Sequence, residues 1–159
     1  MGLFSFIKDA GAKLIGSDDV TRSEKLTEEI IGTGLSVENF KAVITEEKVS
    51  VYGLAKSQAV KEKIILMVGN KDGVSEVDDN MTFEKPKVET VETPEVEEVV
   101  EFTPKFYTVV KGDTLGKIAK EFYGNAMKYP EIFEANKPML KSADLIYPGQ
   151  TLRIPELDN

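Results

Sequence analysis

FYTVVKGDTLGKIAKEFYG, residues 106–124, and LIYPGQTLRIP, residues 145–155, decide how the chain must be divided. The opening FYTVV alternates aromatic and β-branched residues, the pattern of a strand with one buried face. Gly112 ends it in a turn, and the oxygens of Asp113 and Thr114 can accept the N–H groups of a first helical turn. Leu115, Ile118, Ala119 and Phe122 then fall at i, i+3, i+4 and i+7, one apolar helix face. A second helix is expected from Pro130, where a missing N–H costs nothing. It buries Ile132 and Phe133 and ends near Asn136-Lys137-Pro138. Tyr147-Pro148-Gly149-Gln150 places proline and glycine as a type II turn requires, and Thr151–Ile154 closes as a strand. The spacing predicts strand, helix, helix, strand within about fifty residues.

Upstream, from Thr21 to Thr82, the pattern is α-β-β-α-β. Leu26, Ile30 and Leu35 mark a first helix, ended by Gly32 and Gly34. Phe40, Ala42 and Ile44 alternate, Glu46-Glu47 turns the chain, and Val49 and Val51 alternate in return, which predicts a hairpin. Ser57 is a good N-cap for a second helix with Val60, Ile64, Met67 and Val68 on its apolar face. Gly69-Asn70-Lys71-Asp72-Gly73 breaks that helix, and Val74, Val77 and Met81 belong to a last strand. Ahead of this unit, residues 2–15 carry Leu3, Phe4, Phe6, Ile7, Ala10 and Leu14 at helical spacing. A short amphipathic helix is expected there. It lacks the Lys/Arg cluster of a membrane-surface helix, so it should pack on the chain's own domain. Residues 16–20 form a polar break.

Lys85 to Lys105 reads as a linker, punctuated by Pro86, Pro94 and Pro104 and kept extended by repulsion among Glu89, Glu92, Glu95, Glu97, Glu98 and Glu101. Between two small units such a tether permits relative motion.

Composition excludes several classes of function. The 159 residues contain no cysteine, histidine or tryptophan. Disulfides, thiolate metal sites and the Ser-His-Asp and Cys-His arrangements are therefore ruled out. A net charge of −8 disfavours a nucleic acid or an anionic lipid surface as partner and suits cations. No window approaches the roughly twenty apolar residues of a membrane span, so no membrane insertion is expected. The opening MGLFSFIKDAGAKLIG lacks a basic n-region, a continuous apolar core and a cleavage site, and Phe6 stands where a myristoylation signal needs Ser or Thr. A cytoplasmic, monomeric protein is expected.

Catalysis has no candidate residues. The carboxylate pairs Asp18-Asp19, Glu28-Glu29, Glu46-Glu47, Asp78-Asp79 and Glu97-Glu98 fall in turns, on exposed helix faces or in the linker, not facing each other across a cleft. Asp72-Gly73 with Asp78-Asp79-Asn80 misses calcium-loop spacing. Gly32-Thr33-Gly34 leads to no phosphate-binding helix start. The chain is expected not to be an enzyme.

YTVVKGDTLGKIAKEFYG, EANKP and LIYPGQTLRIP closely resemble the LysM module, a small non-catalytic βααβ domain known mainly for binding N-acetylglucosamine-containing glycans. That resemblance implies a glycan groove formed by Gly112, Asp113, Thr114 and Leu115 on one side and Ile146, Tyr147, Pro148 and Gly149 on the other. VSVYGLAKSQAVKEKIILMVGNKDGVSEVDDNM resembles the BON domain, through Gly53 after the second strand, the helix, and Gly73-Val74 with Val77 at entry to the third. The implied fold class is α+β, with two small domains: an N-terminal segment (1–16) on an αββαβ BON domain (17–84), an acidic linker (85–105) and a βααβ LysM domain (106–157). The pair resembles the bacterial potassium-binding protein family, whose members are cytoplasmic, bind K⁺ selectively and become more compact on doing so. Neutral carbonyl oxygens suit this large, weakly hydrated ion, whereas clustered carboxylates favour smaller or divalent cations. Helix ends and glycine loops expose such carbonyls. Guided by the family, the carbonyls of Ile7, Ala10, Ala12 and Ile15 are expected to meet those of Lys71 and Val74 around K⁺. For every one of these residues the plainer role is structural, as core, cap or turn. Two other functions compete: an adaptor of the cell envelope binding peptidoglycan fragments, and a stress-induced scaffold with no small ligand.

Overall fold

The computed structural model describes residues 2–7, 12–13, 17–84 and 105–157. The readings of residues 85–104 as a tether, and of Ala10, Leu14 and Ile15, lie outside the described residues.

The N-terminal unit is a four-stranded sheet with two helices. Its elements are β1 (Gly2–Ser5), α1 (Asp19–Gly32), β3 (Val37–Thr45), β4 (Lys48–Ala55), α2 (Gln58–Gly69) and β6 (Glu76–Phe83). Two short strands, β2 (Ala12–Lys13) and β5 (Lys71–Asp72), pair in parallel beside it. The sheet order is β1-β6-β4-β3. β3 and β4 form the expected hairpin, turned at Glu46 with φ 58. β4 and β6 are parallel, which demands a crossover connection; α2 supplies it. Leu26 and Ile30 of α1, Val49 and Val51 of β4, and Ile64 and Val68 of α2 are buried together in one core. The expected α-β-β-α-β order is present, with α1 beginning at Asp19 because Asp18 accepts a hydrogen bond from Thr21 N–H at 2.9 Å.

α1 also closes the open edge of the sheet. Its Asp19, Ser23 and Thr27 side chains accept from the N–H groups of Glu46, Ile44 and Ala42 at 3.1, 2.8 and 3.0 Å. Four helical residues rise about 6 Å and two strand residues about 6.6 Å, so the two ladders stay in step. An edge strand that would otherwise offer a row of unpaired donors is thereby covered.

Three expectations fail here. Asp78-Asp79, expected in a turn, on an exposed helix face or in the linker, lies within β6, where Asp79 is buried and pairs with Lys61 Nζ at 2.7 Å. Residues 2–5 form a strand, not the start of a helix, and β1 pairs antiparallel with β6, Gly2 opposite Asp79 and Ser5 opposite Glu76. Leu3-Phe4-Ser5-Phe6-Ile7 satisfies a two-residue period as well as a helical one. The partner decided: Phe4 and Phe6 pack on the core while Leu3 and Ile7 stay exposed. Gly53 lies inside β4, not after it, with φ 144. It faces a bulge in β3, where an added Cβ would lie 3.1 Å from Glu38 O.

The C-terminal unit comprises β7 (Lys105–Thr108), α3 (Leu115–Tyr123), a single 3-10 turn (Ala126–Lys128), α4 (Tyr129–Ala135) and β8 (Thr151–Ile154). β7 and β8 are antiparallel. Leu115, Ile118, Ala119, Ile132, Leu152 and Ile154 form a second core. Phe122, expected on the buried face of α3, is 37% exposed and meets Tyr107 edge-on at 5.6 Å. The turn before β8 is as expected, with Gln150 N–H donating to Tyr147 O at 3.1 Å and Gly149 at φ 88. The outer edge of β8 is covered by an amide: Asn136 Nδ2 donates to Arg153 O and its Oδ1 accepts from Arg153 N–H, both at 2.8 Å.

Candidate functional site: the Gly69–Val74 bend

α2 ends because Gly69, Asn70 and Gly73 cannot sustain it, and the residues around its end contact several parts of the molecule. Gly69 lies under the Phe6 ring, whose atoms would be 2.2 Å from an added Cβ. Lys71 and Asp72 form β5, opposite Ala12 and Lys13. Gly73 turns the chain at φ 92, Val74 N–H donates to Lys71 O at 3.2 Å, and Val74 is fully buried. Ser75 O then accepts from Phe6 N–H at 2.9 Å. The N-terminal segment is therefore joined to this bend at both ends.

Of the residues expected to supply carbonyls, Ala12 is directly opposite Lys71. Ile7 follows the residue bonded to Ser75 and its side chain is 51% exposed. Val74 sits in the core. The Lys71 carbonyl accepts a hydrogen bond from Val74 N–H, within the bend that pairs with Ala12–Lys13. The Lys71 ammonium is drawn away to the carboxylate of Glu29 on α1, at 2.5 Å. Among the described residues no group of three or more carboxylates is placed to hold a metal ion, and no helix is long and apolar enough to cross a membrane.

The bend also touches the C-terminal unit, a feature the sequence did not announce. The Asn70 amide donates from Nδ2 to Thr151 O at 2.8 Å and accepts at Oδ1 from Thr151 N–H at 2.7 Å. Tyr147 hydroxyl donates to Asn70 O at 3.1 Å. About two turns earlier on α2, the buried Glu62 carboxylate accepts from Arg153 Nε at 2.5 Å and from Gln58 Nε2 at 2.8 Å. Met139 packs against both cores. The available signal was Ile64-Ile65-Leu66-Met67-Val68, five consecutive apolar residues that are all buried. One face of a helix cannot absorb five in a row, so a second packing surface was required.

The residues expected to line a glycan groove divide between two environments. Gly112 turns the chain at φ 93 and its carbonyl accepts from Lys117 Nζ at 2.7 Å. Asp113 does not cap α3; its carboxylate accepts from Val110 N–H at 3.0 Å and Tyr107 hydroxyl at 2.8 Å. That hydrogen bond pushes the Tyr107 pKa up to about 12. Thr114 is the cap, accepting from Lys117 N–H, and Leu115 is buried. Ile146 packs on the second core, Pro148 leads into the turn, and Gly149 N–H donates to Val109 O at 2.8 Å. The Tyr147 hydroxyl reaches across to the Asn70 carbonyl at the end of α2, and burial raises its pKa.

Comparison with known proteins agrees with both units. The LysM domain model matches residues 107–155 and the BON domain model residues 18–85. A relative in Escherichia coli O6:H1, named Potassium binding protein Kbp, is 44% identical over 98% of this chain and 99% of its own length. The Bacillus subtilis uncharacterized protein YqbP is 32% identical over 56% of this chain and 45% of its own. An uncharacterized protein of Deinococcus radiodurans is 51% identical over 31% of this chain and 19% of its own. With near-complete coverage of the first relative and both domain types in the same order, the chain belongs to the family of bacterial potassium-binding proteins that join a BON domain to a LysM domain.

Proposed function

We propose that this chain binds a potassium ion through main-chain carbonyls of Ile7, Ala10, Ala12 and Ile15 together with those of Lys71 and Val74. The observation that carries the reading is the pairing of Ala12–Lys13 with Lys71–Asp72. It brings two peptide strips to the same end of α2, at a glycine bend whose own lysine ammonium is paired with Glu29. The name of the Escherichia coli relative supports the same ligand. Uncharged carbonyl oxygens can replace the hydration shell of a large monovalent cation without attracting divalent ions as carboxylates would. The protein works as a cytoplasmic monomer, a sensor or buffer and not an enzyme, and ion capture draws its domains together. The peptidoglycan reading is weaker, since Asp113, Tyr147 and Gly149 are already engaged in internal hydrogen bonds.

The test is thermal unfolding in KCl against NaCl at matched ionic strength. A ligand of the native state at a hundred times its dissociation constant adds about 2.7 kcal/mol of apparent stability, so potassium should raise the melting temperature and sodium should not. Identical melting in the two salts refutes the reading. Deleting residues 2–16 should abolish the potassium increment. Scattering with and without KCl tests compaction, and cell fractionation tests the location.

A further inference from the structure

We propose that Asn70 is a positioning residue of the ion site: by pairing with Thr151 and Tyr147 it holds the Lys71–Val74 bend in its binding geometry. This rests on the potassium reading above. Asn70 is 6% exposed, and both its main chain and its side chain are committed. Its N–H donates to Leu66 O at 3.0 Å, its carbonyl accepts from Tyr147 hydroxyl at 3.1 Å, and its amide pairs with the Thr151 backbone at 2.8 and 2.7 Å. A primary amide offers the same donor and acceptor as a peptide unit. Asn70 therefore serves β8 as an added strand residue would, on the edge that Asn136 covers further along.

The consequence falls on the next residue. With the Asn70 carbonyl held by the Tyr147 hydroxyl, rotation of the peptide plane joining Asn70 to Lys71 costs that hydrogen bond, and β5 enters its pairing with Ala12 from a restrained direction. A site built from main-chain oxygens has no side-chain freedom with which to correct a misplaced carbonyl, so fixing its entry reduces the ordering left for the ion to impose. Linkage then runs both ways: if docking of β8 favours the ion, the ion must favour docking by the same factor. The interface is not saturated, because Gln150 Oε1 is buried beside it with no hydrogen-bond partner.

The experiment uses the full chain and three proteins: wild type, Asn70→Ala and Tyr147→Phe. Each is titrated with KCl by calorimetry and measured by small-angle scattering with and without KCl. Losing the amide pair should weaken potassium binding roughly tenfold and losing the single hydroxyl bond about threefold, the range of one to two net hydrogen bonds. Both variants should show a smaller potassium-dependent change in radius of gyration than wild type. A merely structural role would lower melting temperature equally in sodium and potassium and leave affinity and the radius change intact. Wild-type affinity and wild-type compaction in Asn70→Ala overturn the proposal. If Asn70→Ala does not fold, Tyr147→Phe decides in the same way, because it leaves the N-terminal domain's sequence untouched. A wild-type chain that ignores potassium refutes the ion site itself, an outcome separate from either.

Discussion

Gly69→Ala separates helix propensity from docking, because the two act in opposite directions. In a helix, Gly→Ala gains up to about 1 kcal/mol, and Gly69 is the last residue of α2. A Cβ at this position would stand 2.2 Å from the Phe6 ring, well inside van der Waals contact, so the ring must leave. Full burial of a phenylalanine contributes about 2 kcal/mol; Phe6 is half-buried against the core, so about 1 kcal/mol is forfeited. The two terms nearly cancel, and global stability should hardly move. Docking of the N-terminal segment should not survive so well. With the ion bound to that segment as proposed, a docking penalty of about 1 kcal/mol weakens apparent affinity by up to about fivefold. The assay is potassium titration by calorimetry on wild type, Gly69→Ala, Phe6→Ala and the double variant. Without the ring the added methyl has nothing to displace, so Gly69→Ala should have no further effect in the Phe6→Ala background. Additive losses, or wild-type affinity in Gly69→Ala, would show that the Phe6–Gly69 contact does not hold the segment at the bend.

Two further outcomes follow from the interface and from the LysM domain. Arg153→Met removes the partner of the Glu62 carboxylate, whose side chain is 5% exposed; breaking such a pair costs about 3–5 kcal/mol. The domains should separate to rehydrate Glu62, raising the radius of gyration while both cores still melt cooperatively. A variant as compact as wild type would contradict this. Tyr107 has its pKa raised from 10.0 to about 12 by the Asp113 hydrogen bond. A pKa raised on folding gives stability that is complete below the unfolded value, so this contribution persists to pH 10 and is lost as pH rises through about 12. Asp113→Ala should bring one tyrosine's ionisation, followed by tyrosinate absorbance, back toward the ordinary range; an unshifted curve would rule the bond out as the cause.

Legibility followed the strength of local pattern. β8 could be read to the residue because Pro148-Gly149 fixes a turn and Thr151–Ile154 has no competing period. α2 and α3 were legible from Ser57 and Thr114, caps whose side chains accept the N–H groups expected of them. The N-terminal segment was misread because its apolar spacing fits two periods, and the choice depended on β6 having an unpaired edge some seventy positions away. Gly53 was misplaced for a related reason: the need for φ 144 arises from a bulge across the hairpin, not from neighbours in sequence. Asn70 was read only as part of a polar helix breaker. Nothing local distinguishes an asparagine that stops a helix from one that does so while pairing with another domain.

A carbonyl site leaves little trace in sequence, because every residue carries the ligand atom. What sequence can encode is the direction in which those oxygens point. Around this bend that direction depends on residues that donate nothing to an ion: Gly69, whose missing Cβ admits the Phe6 ring; Asn70, whose amide is tied to Thr151; Gly73, which holds φ 92; and Glu29, which keeps the Lys71 ammonium occupied. Each could be dismissed alone as turn, cap or surface charge. Together they restrain the course of one peptide strip from three sides, and in the proposed ion site that restraint sets where the carbonyl oxygens point. The specificity of such a site should therefore be sought in what restrains its backbone, more than in the identity of the residues that line it.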